Sequence, residues 1–108
     1  MLEFVHQGKI SIEKIIEKMS HNVAEIYRMK ERGYIREGYY ADLVLIDLHN
    51  TWKVTPANTI YKCNWTPFES QSFKSKIAKT FVNGNLVYDY GQFNENSQGK
   101  RLKFEKMR

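Results

Sequence analysis

The side chains through which this chain could bind a metal or move a proton are His6, His21 and His49, the single cysteine Cys63, and the carboxylates Asp42, Asp47 and Glu69. A zinc site asks for ligands at short fixed spacings, such as His-x-His on a strand or two histidines four apart on a helix. The three histidines offer neither pattern, and each reads as a surface or capping residue. General acid–base chemistry needs a second titratable group or a nucleophile within hydrogen-bond reach. Asp42, Asp47 and Glu69 have no such partner at a recognisable spacing, and Asp42, placed just before an apolar run, is expected to accept hydrogen bonds from turn amides. Cys63 has no neighbouring base to mark it as a nucleophile and reads as a small buried hydrophobe. The six glycines stand singly, so no phosphate-cradling loop is present. Aromatic residues such as Phe81 and Tyr88 fall in β-prone runs, where they serve cores and cross-strand pairs more readily than base stacking. The expectation is no catalytic residue and no metal ligand within the chain.

Net charge is +5, but its location matters more than its size. Residues 100–108 hold Lys100, Arg101, Lys103, Lys106 and Arg108 against Glu105, which places +4 in the tail and leaves the body nearly neutral. Such a tail is expected to be solvated or docked on a neighbouring surface, and nucleic acid is not the expected partner; a small basic nucleic-acid-binding module is the alternative from another functional class. Hydrophobic residues at 42% and charged residues at 27% are ordinary globular values for one small domain. No apolar run approaches the roughly 18 residues that span a bilayer, no leader pattern opens the chain, and one thiol suits a reducing compartment. The reading is a cytoplasmic protein without a membrane partner.

The elements that must position these side chains divide at Gly33. Residues 1–32 read as helical. Leu2 to Gln7 looks like the end of a helix stopped by Gly8, and its first turn lacks a cap, as in an element cut from a longer one. Ser11 caps a helix to about Met19, with Ile12, Ile15, Ile16 and Met19 on one face. Asn22 is expected to cap a second helix through about Met29, with Glu25 as its capping-box partner and Lys30 and Arg32 complementing its C-terminal dipole. Residues 33–108 read as β. Ala41 to Asp47 holds Leu43, Val44, Leu45 and Ile46 without interruption, the pattern of a strand covered on both faces. Trp52 to Val54 is a short strand, Thr55-Pro56 starts a turn, and residues 62–76 form a long irregular loop. Residues 77–89 form a hairpin around Asn83-Gly84, the pair most favoured in a two-residue type I′ turn. Phe93 to Gly99 is polar loop, and Leu102 with Phe104 can add a brief strand in the tail.

The segment from Gly33 to Asp47, with Gly33, Ile35, Gly38, Ala41, Asp42, Leu43, Val44, Leu45 and Asp47 in register, resembles the G-x-I-x-x-G-x-x-A-D-L-V-L-x-D signature of the amidohydrolase superfamily. Thr80 to Tyr88, with Val82, Asn83, Gly84 and Val87, is similar to that superfamily's late V-N-G-x-x-V hairpin. Within the superfamily, Trp65-Thr66-Pro67-Phe68-Glu69 resembles the S-P-F-E-G stretch of dihydroorotases and allantoinases, and Tyr61-Lys62-Cys63 looks closest to dihydroorotases. Ser70 stands where that pattern has Gly, and Val23 follows Asn22 where the family has N-P-A.

This resemblance implies an α+β chain whose N-terminal helices belong to the end of a (β/α)₈ barrel and whose remainder is the C-terminal half of a small β-sandwich. The matching positions Gly33, Gly38, Ala41, Asp42, Asp47, Trp65, Pro67, Phe68, Glu69, Asn83 and Gly84 are then structural. It implies a parent enzyme that interconverts carbamoyl aspartate and dihydroorotate in pyrimidine biosynthesis, with zinc activating a water and polarising a carbonyl. The ligands and the catalytic aspartate of such an enzyme would precede Leu2, so the chain is expected to bind no cofactor and to be inactive alone. Its expected partners are the missing barrel and N-terminal sandwich strands, or further copies of itself through the faces left bare. An allantoinase- or hydantoinase-like parent is the alternative, and a metal-free hydrolase using Asp42 or Glu69 ranks last.

Overall fold

The computed structural model describes residues 1–108 apart from Thr59, Tyr61, Asn64, Asn96, Ser97, Met107 and Arg108. Tyr61 of the Tyr61-Lys62-Cys63 triplet, Asn96 and Ser97 of the polar loop, and Arg108 of the tail therefore lie outside the described residues.

Helix α1 spans Leu2–His6 and ends as its sequence requires, with Gly8 at φ +71 and the Lys9 amide returning to the Phe4 carbonyl at 2.9 Å. The Ser11 hydroxyl accepts from the Lys14 amide at 3.2 Å and starts α2, Ile12–Ile16. The expected break before Asn22 is absent. The chain runs through a π-helical turn, Glu17–His21, straight into α3, Asn22–Ile26. Asn22 has helical φ −65 and ψ −36, so it caps nothing, and Glu25 accepts from the Tyr34 hydroxyl instead of closing a capping box. The helix also stops short of Met29: Ile26 is its last residue, Tyr27 caps it and Arg28 turns left-handed at φ +53.

Gly33 explains this arrangement. A Cβ at Gly33 would lie 2.4 Å from the Ala24 Cβ and 2.9 Å from the Ser20 carbonyl oxygen, so the chain leaving α3 folds back against the π-turn more closely than any side chain allows. Its φ of +85 is a second reason for glycine.

Strand β1 spans Leu43–Asp47, β2 Trp52–Lys53 and β3 Ser72–Phe73; β4, β5 and β6 span Lys76–Val82, Asn85–Asp89 and Gln92–Phe93. The main sheet is antiparallel in the order β1-β4-β5-β6, while β2 and β3 pair separately. Asn83 at φ +51 and Gly84 at φ +81 both take the left-handed conformation that a type I′ turn demands, and Val82 faces Asn85 across it. Register slips at Ala78 in β4 and at Val87 in β5 add a residue on one side of each ladder, which kinks the sheet. Three expectations need correction. Residues 62–76 are not wholly irregular, because β3 lies within them and pairs with β2. Phe93 belongs to β6, where its ring meets Tyr88 edge-on at 5.1 Å. Leu102 and Phe104 form no strand beyond one bridge between Phe104 and Met29.

The core is shallow. Among the described residues the buried hydrophobic ones are Ile15, Ala24, Val54 and Ala78. Accessible surface is 8810 Å², against roughly 6,300 Å² for a compact monomer of this mass. The radius of gyration is 16.1 Å, where about 13 Å is usual for this length. Large apolar side chains are among the exposed residues. The run read as covered on both faces is instead the edge strand β1 of the main sheet, with Val44, Leu45 and Ile46 exposed by 53%, 47% and 40%. The doubly apolar pattern is there, but within this chain the run stays about half exposed.

Candidate functional site

Two of the signature segments meet in space. Asp42, immediately before β1, accepts the Asn83 amide at 2.8 Å from the β4–β5 turn, and the Gly84 amide donates to the Ala41 carbonyl at 3.0 Å. The turn is thus pinned to the entrance of β1 by two bonds across 41 and 43 residues of sequence. Arg32 closes the joint from the helical side. Its guanidinium pairs with the Asp42 carboxylate, reaches the Asn83 side-chain oxygen at 3.4 Å and lies 4.3 Å from the Tyr40 ring centre. The Arg32 side chain is only 9% exposed and that of Asp42 35% exposed. Asp42 therefore bonds a turn amide, as its position suggested, and also neutralises a nearly buried cation. In the sequence Arg32 is a charge suited to a helix end; no local pattern links it to a carboxylate ten residues away.

The third segment lies elsewhere. Thr66 is buried, and its hydroxyl accepts the Phe68 amide at 3.2 Å; Trp65, Pro67, Phe68 and Glu69 are exposed around it. Phe68 meets Phe73 edge-on at 6.1 Å and, with Trp52, Val54, Ile60 and Phe73, borders an apolar groove of about 220 Å³. Ser70 follows at φ +69, its amide bonded to the Val54 carbonyl at 2.9 Å. The backbone here is one that favours glycine, so the departure at Ser70 places a hydroxymethyl where the conformation asks for none. Cys63 is exposed, correcting its reading as a buried hydrophobe, and its Sγ sits 3.6 Å from the Trp65 carbonyl. Gly38 occupies a turn at φ +84, and Asp47 receives the His49 amide at 3.0 Å.

The histidines are held apart. His6 shares a 2.6 Å hydrogen bond with Ser75, between β3 and β4, which ties α1 to that connection, and the Ser75 carbonyl also accepts the Trp52 indole N–H at 2.8 Å. His21 packs on Tyr34 with ring centres 4.1 Å apart. His49 lies in the turn after β1. Among the described residues no three His, Cys, Asp or Glu side chains converge where a metal could sit. The Tyr34 hydroxyl is held above its ordinary pKa by donating to Glu25, and Glu17 is held below its own by Lys14 at 2.8 Å. Neither lies in a constellation with a nucleophile. The arrangement can hold strands, a hairpin and a helix together.

The amidohydrolase family model matches residues 1–87. A dihydroorotase from Pyrococcus horikoshii is 34% identical over 102 residues, covering 94% of this chain and 24% of that protein. An allantoinase from Desulfitobacterium hafniense is 29% identical over 98 residues, covering 91% of this chain and 22% of that protein. Among solved structures, a D-hydantoinase from a Bacillus species superimposes with a TM-score of 0.74 at 25% identity, over 85% of this chain and 20% of its own. A dihydropyrimidinase from Brevibacillus agri does so with a TM-score of 0.73 at 26% identity, over 84% and 20%. The chain spans about a quarter or less of the length of each of these relatives.

Proposed function

The chain belongs to the amidohydrolase family, and on that premise we propose that it is a non-catalytic scaffolding segment of a cyclic amidohydrolase of the dihydroorotase type. The observation that carries this reading is the joint of Arg32, Ala41, Asp42, Asn83 and Gly84. It brings two family signatures together through an ion pair, a side-chain contact to Asn83 and two hydrogen bonds from turn amides. In this reading the catalytic and metal-binding groups come from other segments of the enzyme. Zinc, where such an enzyme holds it, polarises the amide carbonyl and lowers the pKa of a bound water. The chain's part is to present β1 and the faces of α2 and α3 to those segments: the bare edge of β1 and the exposed Ile16, Met19, Val44 and Leu45 are surfaces of the right kind to be covered. Without that cover, copies of the chain are expected to associate with one another. No helix among the described residues is long and apolar enough to cross a membrane.

The test has two arms. The purified chain, supplied with zinc and either carbamoyl aspartate or dihydroorotate, should show no turnover. Co-expression with a dihydroorotase lacking its own corresponding C-terminal quarter should restore activity to that enzyme. Turnover by the chain alone, or no rescue of any truncated relative, overturns the proposal. The allantoinase at 29% identity and the hydantoinase superposition support a second reading, a parent acting on allantoin or hydantoin rings. Preferential rescue of an allantoinase or hydantoinase would select it.

A further inference from the structure

We propose that the cleft between the end of α3, the Tyr34–Tyr39 turn and the docked tail is a binding site for a small multivalent oxyanion, a phosphate or carboxylate group on a metabolite-sized molecule. The cleft holds about 310 Å³, and Arg28, Arg32, Arg36, Tyr34, Tyr39 and Glu105 are among the residues that line it. That is the lower end of the volume range, roughly 300 to 1,000 Å³, of small-molecule sites.

Its three guanidiniums are not equally available. Arg32 is committed to Asp42 and Asn83. Arg28 and Arg36 have no carboxylate partner among the described residues. Arg36 lies over the Tyr34 ring at 4.1 Å and near Tyr39 at 5.7 Å. Stacking of this kind fixes the plane of the guanidinium and leaves its N–H edges free to fork onto an oxyanion. Glu25, also at the wall, is engaged by the Tyr34 hydroxyl, which leaves Glu105 as the one lining carboxylate without a described partner.

The fold then adds charge that the sequence keeps far apart. The Lys30 amide donates to the Lys103 carbonyl and the Glu105 amide to the Arg28 carbonyl, both at 2.9 Å, so the tail lies along the Arg28–Lys30 segment. Lys100 reaches within 5.6 Å of the Tyr40 ring. Residues 28–36 carry four basic side chains against Glu31, and residues 100–106 carry four against Glu105. Bringing two such stretches together costs electrostatic energy in the free chain, and a bound anion offsets it. Forked guanidinium edges, aromatic walls and a concentrated positive field suit a planar or tetrahedral oxyanion better than a neutral or cationic ligand.

The probes are inorganic phosphate and citrate, titrated into the intact chain against sodium chloride at matched ionic strength, with backbone amide resonances as the readout. Saturable shifts confined to residues 28–39 and 103–105 are expected. Arg28→Ala and Arg36→Ala should each weaken binding by about tenfold, the scale of one charge-assisted contact. Arg28→Lys, which keeps the charge and loses the fork, should fall between, and Lys53→Ala, away from the cleft, should change nothing. Binding of phosphate alone assigns a phosphate-bearing ligand, binding of citrate alone a carboxylate-bearing one, and binding of both the shared chemistry. Responses no larger than those to chloride, or equal responses in the folded Arg28→Ala and Arg36→Ala chains, overturn the proposal.

Discussion

Replacing Asp42 by alanine should destabilise the chain by about 2–3 kcal/mol, and the figure can be built from the joint. Removing one partner of a buried ion pair costs roughly 3–5 kcal/mol, because the other charge is stranded. Arg32 is nearly buried, with 9% of its side chain exposed, but Asp42 is 35% exposed and water screens the pair. That screening brings the ionic share down to about 1–2 kcal/mol. Loss of the acceptor for the Asn83 amide, 2.8 Å away, adds about 1 kcal/mol. Urea unfolding followed by circular dichroism measures the total. Asp42→Asn should cost only about 1 kcal/mol, since an oxygen remains for the amide while the charge is lost. In a double-mutant cycle, Arg32→Met and Asp42→Ala should be coupled by about 1 kcal/mol. An Asp42→Ala cost below about 0.5 kcal/mol, or additivity in the cycle, would refute the view that this cluster holds the helical and β segments together.

Gly33→Ala should lower stability by about 2–3 kcal/mol through the clash with Ala24 and the left-handed backbone, and Ala24→Gly in the same chain should recover part of the loss in thermal melts. Ser70→Gly should raise stability by about 0.5 kcal/mol, since relief of the strained φ exceeds the added freedom of the unfolded chain; a lower melting temperature would contradict it. The Tyr34 phenol should ionise above the ordinary value of 10.0, and Glu25→Gln should bring it back down in a tyrosinate absorbance titration. Because the folded-state value is the higher one, the stability from this bond is complete below pH 10 and disappears as pH climbs through the folded-state pKa.

The features legible in the sequence are those in which a few adjacent residues decide the backbone. Ser11 starts a helix because its own hydroxyl reaches the Lys14 amide, and Asn83-Gly84 turns a hairpin because only such residues accept two successive positive φ values. Asp42 was legible in role but not in partner, since the amide it binds is 41 residues away. The continuous helix past Asn22 was not legible: capping chemistry marked a boundary there, whereas the π-turn goes with the close approach of Gly33, which is tertiary. The pattern of β1 reports what the strand is suited to lie between, and burial within the chain is a separate matter. The arginine-lined cleft depends on a tail and a helix end that sequence separates by about seventy residues, so charge counting alone placed the tail's excess at the terminus and the body at neutrality.

The Asn83-Gly84 turn also carries a chemical clock. An asparagine followed by glycine loses its side-chain amide when the next backbone nitrogen attacks the side-chain carbonyl. Here that nitrogen is bonded to the Ala41 carbonyl, and the side-chain oxygen is turned toward Arg32. Cyclisation therefore has to wait until the hairpin lifts off β1. Each event leaves an aspartate or isoaspartate competing with Asp42 for the same guanidinium, so an aged chain should open more easily than a fresh one. The rate at which position 83 converts is a count of how often the joint comes apart.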